Sequence, residues 1–277
     1  MKRTKKNFIN LFIVLLTAGV GLSLTACSSD EEPVNQEPEK PYGDLKLKTV
    51  IDHPGIIHYD NGMAMWYIEY LRNRPVGFTE RLYTEDLDRA YQQEGMDVLF
   101  SGEAFDFLSK KKETVSGEYD YYFFLQDISE CNHLQPIPEI DPEIAEFFNT
   151  ATTTVLSQRC QFDFPESTLE EKLADTCYVI NDQAQLAALY TGEMNIPSVD
   201  FAKYTLILGR AYMSSSAESL VYHDISADAT PKVLNMYIEA GHLGLQAIYL
   251  EYYWGLYPKF EDEKLTLKRI TTELYDL

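Results

Sequence analysis

The chain has 277 residues, with 44 Asp or Glu against 23 Lys or Arg, a net charge of −21. That balance excludes nucleic acid as a partner. Phosphate contacts need clustered cations, and the one basic run, Lys110-Lys111-Lys112, is followed at once by Glu113 and reads as a solvated loop.

The chain opens with Lys2, Arg3, Lys5 and Lys6, followed by an apolar stretch from Phe8 to Ala26, which is the layout of a secretory leader. The stretch approaches the ~20 residues that span a bilayer, so a retained helix competes with a cleaved leader. Leu24-Thr25-Ala26-Cys27 decides for cleavage, because this run resembles the lipobox of bacterial lipoproteins. The resemblance implies a signal peptide over residues 1–26 and diacylglycerol on the Cys27 thiol. It also implies membrane attachment with no membrane helix, since two or more acyl chains anchor stably at about 0.8 kcal/mol per buried methylene.

Ser28-Ser29-Asp30-Glu31-Glu32 resembles the acidic surface-export signal of Gram-negative gut-type anaerobes, and its alternative is a solvated spacer. The expected location is therefore the outer membrane, facing outward. Residues 27–41 hold a single Val among Glu, Pro and Ser and read as a disordered tether. The leader removes four basic residues and no acids, taking the net charge to −25. Such a surface favours solubility and cationic or calcium-bridged partners.

Between Gly55 and Leu71, Asp60-Asn61-Gly62 sits between apolar runs and predicts a hairpin. Thr84 as cap, Glu85 and Asp86 in the first turn and Gly95 as stop predict a helix. Met96 to Phe100 reads as a strand, Ser101-Gly102 as a turn, Ala104 to Leu108 as its continuation, and Tyr119 to Ile128 as an aromatic strand. Asp141 and Pro142 start a short helix to Asn149. Thr152 to Phe164 is read as the last strand of a first domain, 42–164, with Pro165 to Asp175 as connector.

The second domain, 165–277, opens with a strand from Cys177 to Ile180, then a helix with Asp182 and Gln185 as a capping box. Strands at Tyr204 to Leu208 and Leu220 to Ile225 follow. Val233 to Ala240 and Leu245 to Tyr257 are paired as a hairpin, and Leu265 to Leu274 closes the chain. The fold class is α+β: two sheet-rich domains, each opening strand-helix-strand and continuing in antiparallel strands. Asp127-Ile128-Ser129 and Asp224-Ile225-Ser226 end matching stretches, so a duplication and two unrelated modules both stay open.

Tyr178-Val179-Ile180, Val199-Asp200-Phe201 and Tyr204-Thr205-Leu206-Ile207-Leu208-Gly209 resemble the C-terminal domain of the protease-complex subunit PrcB over about residues 175 to 257. The resemblance implies a sheet-rich α+β module without catalytic residues that partners other proteins. The expected glycine-rich turn is missing between Tyr212 and Ser219.

No Gly-x-Ser-x-Gly elbow, P-loop, Gly-x-Gly-x-x-Gly turn or His-Glu-x-x-His helix is present, and no cofactor is implied. His53, His58 and Asp60 are the candidate metal ligands, with types suited to zinc; a polar face beside a turn explains the same residues. With Cys27 lipidated in an oxidising compartment, Cys131, Cys160 and Cys177 give one disulfide and one thiol. Cys131 with Cys160 is the chosen pair, contributing about 3 to 4 kcal/mol, and three buried thiols are the alternative.

Twenty Tyr and 14 Phe concentrate in Tyr119 to Phe124 and Tyr249 to Tyr257. Alternate residues of such strands form core, so Tyr122, Tyr252 and Trp254 are the candidate contact residues. The expected function is a surface-anchored lipoprotein that binds or inhibits another protein. A glycan-binding lipoprotein for nutrient capture and an unrecognised hydrolase are the alternatives.

Overall fold

The computed structural model describes residues 40–277 except 73–78, 109–117, 154–158, 166–167, 169–172, 243, 263 and 276–277. The leader, Cys27, nearly all of the tether, the Lys110 to Lys112 run and part of the 165–175 connector lie outside the described residues.

Strands β1 (Tyr42–Asp60), β2 (Met65–Tyr70), β3 (Thr79–Thr84), β4 (Asp97–Phe107) and β5 (Glu118–Glu130) close a ring of pairings, β1-β2-β3-β5-β4-β1, with β3 parallel to β5 and the rest antiparallel. A closed ring removes the exposed strand edges that invite aggregation. Its core holds Ile57, Ile68, Leu82, Val98, Phe100, Ala104 and Phe123, all essentially without solvent contact. Gly55 lets β1 and β2 approach, since a Cβ there would fall 2.5 Å from the Ile68 methyl and 2.8 Å from the Glu69 carbonyl.

The 19-residue β1 pairs with β4 along one edge and divides its other edge between two neighbours. Beyond a bulge at Asp52, whose φ is +44°, it pairs with β2; before it, Lys48 and Thr49 pair with β12 (Thr266–Leu274). Bulges bend a strand and shift its pairing, and this one lets the sheet branch away from the ring. The sheet continues through β10 (Val233–Gly241), parallel to β12, then β9 (Glu218–Ser226) and β6 (His133–Leu134).

A second, antiparallel sheet has the order β11 (Tyr249–Pro258), β8 (Tyr204–Met213), β7 (Thr176–Ile180). One face, with Ile207, Ala211, Met213 and Tyr253, packs with Ile225, Leu234, Met236 and Ile238 of β9 and β10. The other face, with Leu206, Leu208 and Ile180, is covered by Phe147, Phe148 and Ala151 of α1 (Pro142–Thr152) and Leu186 of α2 (Gln183–Leu189). β8 is thus buried on both sides, which its unbroken apolar run encodes. The opposite face of β9, β10 and β12 gives Tyr222, Tyr237 and Ile270 to the ring-side core.

Many local expectations hold. The hairpin forms, but over a four-residue loop in which Ala64, not Asn61, takes the positive φ, 53°. Asp141 Oδ1 accepts from the Glu143 amide at 2.9 Å at the start of α1. At α2, Asp182 Oδ1 accepts from the Gln185 amide at 2.8 Å, while the Gln185 side chain accepts from Asn181, one residue outside the expected capping box.

Other expectations are corrected. The helix after Thr84 is only a 3-10 turn, Arg89–Tyr91. Ser101-Gly102 is no turn: β4 runs through it with a bulge, and a Cβ on Gly102 would sit 2.2 Å from the Phe124 carbonyl. Thr152 ends α1, and among the described residues of 153–164 the only pairing is the isolated bridge of Phe162 to Tyr190. Val233 to Ala240 and Leu245 to Tyr257 form no hairpin, since β10 and β11 belong to different sheets.

The boundary at 164/165 separates no sheets. Strands from both sides of it share the nine-stranded sheet, and residues 40–277 form one compact unit. The first half closes a ring whereas the second divides its strands between two sheets, a difference in topology that does not bear out a duplication.

Candidate functional site

The candidate aromatic residues are held in packing. Tyr122 is 5 % exposed and stacks on Tyr42 at 4.8 Å, and burial pushes its hydroxyl up to about 12. Tyr252 and Trp254 alternate on β11 toward the helical layer. There Tyr252 stacks on Phe164, and Trp254 stacks on Phe148 at 4.9 Å while its indole N–H donates to Asn149 at 3.0 Å.

His53, His58 and Asp60 do not converge as metal ligands. Five residues apart on one strand, His53 and His58 take opposite faces. His53 is buried against Tyr70 with ring centroids 3.7 Å apart, its Nδ1–H donates to the Pro54 carbonyl, and burial holds it neutral with a pKa lowered to about 3. His58 lies near the surface against Glu94 and Glu69. Asp60 is taken up by its turn, accepting from the Gly62 and Met63 amides and from Tyr83.

The expected Cys131–Cys160 bridge is also corrected: Cys131, Cys160 and Cys177 are free thiols. Cys160 packs in the helical-layer core and Cys177 on the opposite face of the small sheet. Burial pushes their pKa values up to about 11 and about 12.

Three other features carry chemistry. The first lies where β6 edges the large sheet. The Cys131 amide donates to the Asp97 carbonyl at 3.0 Å, and His133 pairs in register with Ser226 of β9. His133 Nδ1 lies 3.0 Å from Asp224 Oδ2 and its Nε2 lies 3.1 Å from Ser226 Oγ. Asp224, 0 % exposed, also accepts from Asn235 at 2.7 Å and from Tyr237 at 3.1 Å. Cys131 brings its sulfur within 4.8 Å of the His133 and Asp224 donor atoms. A cavity of about 200 Å3 borders His133, Ser226, Asn235, Tyr237 and Lys268.

Burial of the His133 ring opposes its charge, but the hydrogen bonds to Asp224 and Cys131 outweigh that and raise its pKa to about 10. Ser226, His133 and Asp224 thus stand in a hydroxyl, imidazole and carboxylate row, with the raised pKa favouring the charged ring. Cys131-Asn132-His133 is the only local trace of this cluster in the sequence, and neither motif nor spacing connects it to Asp224.

The second feature is a buried quartet. Lys48 Nζ lies 2.6 Å from Glu80 and 2.9 Å from Glu239, and Arg72 binds Glu80 at 2.7 Å and also Glu239. It edges a cavity of about 260 Å3 with Tyr119 and Tyr121. Its two cations and two carboxylates match, so it ties β1 and β3 to β10 as a cross-link.

The third is apolar and exposed. In the 242–248 connection, Leu245 is 79 % exposed and Ile248 62 %, next to Tyr249 at 36 %. Reciprocal bonds between Leu245 and Ser216, both 3.0 Å, fix the backbone there, and the Tyr249 hydroxyl donates to the Glu218 carbonyl.

Fold and sites define a sheet-rich α+β body in which the buried Lys48, Glu80, Glu239 and Asp224 are paired internally. No protein-family model matches the chain, and comparison with curated proteins returned no match. Among the described residues no helix is long and apolar enough to cross a membrane.

Proposed function

We propose that this protein is a lipoprotein anchored through Cys27 at the outer membrane, facing outward, whose folded body binds another protein. The observation that supports binding is the exposed Leu245 and Ile248, with the Leu245 backbone held by Ser216 and the neighbouring Tyr249 side chain tied through its hydroxyl to the Glu218 carbonyl. Apolar side chains on a fixed loop lose little entropy on docking and serve as anchors in a pocket of the partner. Against a body of such negative charge, the fitting partner offers an apolar pocket rimmed by Lys and Arg.

The packing of Tyr122, Tyr252 and Trp254 weighs against glycan capture, which needs free ring faces. Cross-linking and capture from host envelopes, with the full-length protein against the Leu245→Asp/Ile248→Asp pair, tests the reading. Loss of one captured protein in the variant is expected; a glycan array bound by the wild type and lost on Trp254→Ala would replace it. Mass spectrometry of the native protein should show acylated Cys27, and an unmodified thiol there would remove the anchor.

A further inference from the structure

We infer that Cys131, His133 and Asp224 form a binding site for a zinc-class divalent cation. A thiolate, an imidazole and a carboxylate are the mixed S, N and O set that borderline-soft cations take, and three protein ligands with one open position is the pattern of zinc sites that admit water or a substrate atom. The His133 and Asp224 donors already stand 3.0 Å apart, and all three donor atoms fall within 4.8 Å. Bonds of about 2.0 to 2.3 Å to a tetrahedral ion place ligands roughly 3.3 to 3.8 Å from one another. The half-exposed Cys131 side chain therefore has to close by about 1 Å, a movement within reach of a χ1 adjustment.

The surroundings are those that ligands require. His133 directs Nδ1 toward Asp224 while Nε2 meets the Ser226 hydroxyl, which fixes the ring as outer partners of metal-bound histidines do. Asp224 is oriented by Asn235 on one oxygen and Tyr237 on the other. These three partners come from adjacent strands of one sheet, so the arrangement is preorganised.

Asp224 is wholly buried, and among the described residues Asn235 and Tyr237 bond it as neutral groups while His133 is its ion-pair partner, whose place beside the carboxylate the metal would take. A divalent ion with one thiolate, one neutral imidazole and one carboxylate gives a neutral site, the Cys131 thiol proton and the His133 Nδ1 proton both passing to solvent on binding. The cavity beside Ser226 and Asn235 lies next to the ligating ring.

The test uses full-length protein in detergent, stripped with a chelator and titrated with zinc chloride by calorimetry, then with cobalt(II) by absorption. One equivalent should bind, and cobalt should show a thiolate-to-metal charge-transfer band. Cys131→Ser, at a half-exposed position with folding checked by circular dichroism, should abolish the band. Asn235→Ala should weaken zinc binding about 10- to 100-fold. His58→Ala should leave it unchanged. Absence of stoichiometric binding, a cobalt complex without the thiolate band, or binding that persists unweakened in Cys131→Ser would overturn the site.

Discussion

Glu239 binds both buried cations of the quartet, Lys48 and Arg72, and these together hold its carboxyl down from 4.5 to about 2 against the opposing effect of burial. At 1.36 kcal/mol per pH unit, that preference for the charged form corresponds to about 3 kcal/mol. Glu239→Gln keeps the volume and removes the charge, leaving two cations facing Glu80 alone. Breaking a buried pair from one side costs about 3 to 5 kcal/mol, in agreement. Lys48→Met alone should cost a similar amount, but combining it with Glu239→Gln restores charge balance. The double variant should therefore be more stable than the sum of the singles by about 1 to 3 kcal/mol. Urea unfolding of the four proteins, followed by tryptophan fluorescence with a common m-value, measures this. Additive losses, or a Glu239→Gln cost under about 1 kcal/mol, would refute the view that the quartet is a charge-balanced cross-link.

Acid should destabilise the body well before its carboxylates titrate. His53 and His223 are buried with pKa values lowered to about 3 and about 4, so the unfolded chain binds protons that the native state does not below pH 6.5. Their stabilising effect is complete above that pH and is lost as it falls, at up to about 2.7 kcal/mol per pH unit for the two together; a flat unfolding free energy between pH 6.5 and 4.5 would contradict their burial. Gly102→Ala forces a Cβ against the Phe124 carbonyl and should cost about 1 to 3 kcal/mol, lowering the melting temperature by several degrees. In native protein, maleimide should label Cys131 well before Cys160 and Cys177, whose thiols burial keeps protonated; mass spectrometry of timed samples reads the order.

Local chemistry was legible wherever a residue acts on its own neighbours. Asp141 and Asp182 capped the helices expected of them, the Asp60 turn made its hairpin, and the run from Tyr204 to Leu208 became part of a strand that continues to Met213. Residues chosen for sites fared differently. His58 and Asp60 have suitable types, but the turn and Glu94 engage them first, and Trp254 stacks on Phe148 although a strand pattern alone leaves its face undecided.

The sequence by itself determined the acidic balance, the periodicity of most strands and the caps of both helices. These depend on composition or on interactions within about four residues. Only the tertiary structure decided that β1 branches at Asp52 to serve both ring and open sheet, that β10 and β11 part to different sheets, and that Cys131 and His133 meet Asp224 some 90 positions along the chain. Strand partners are chosen by long-range burial and register. Nothing in a strand's own residues names its neighbour, so a site assembled across strands leaves in the sequence only fragments such as Cys131-Asn132-His133.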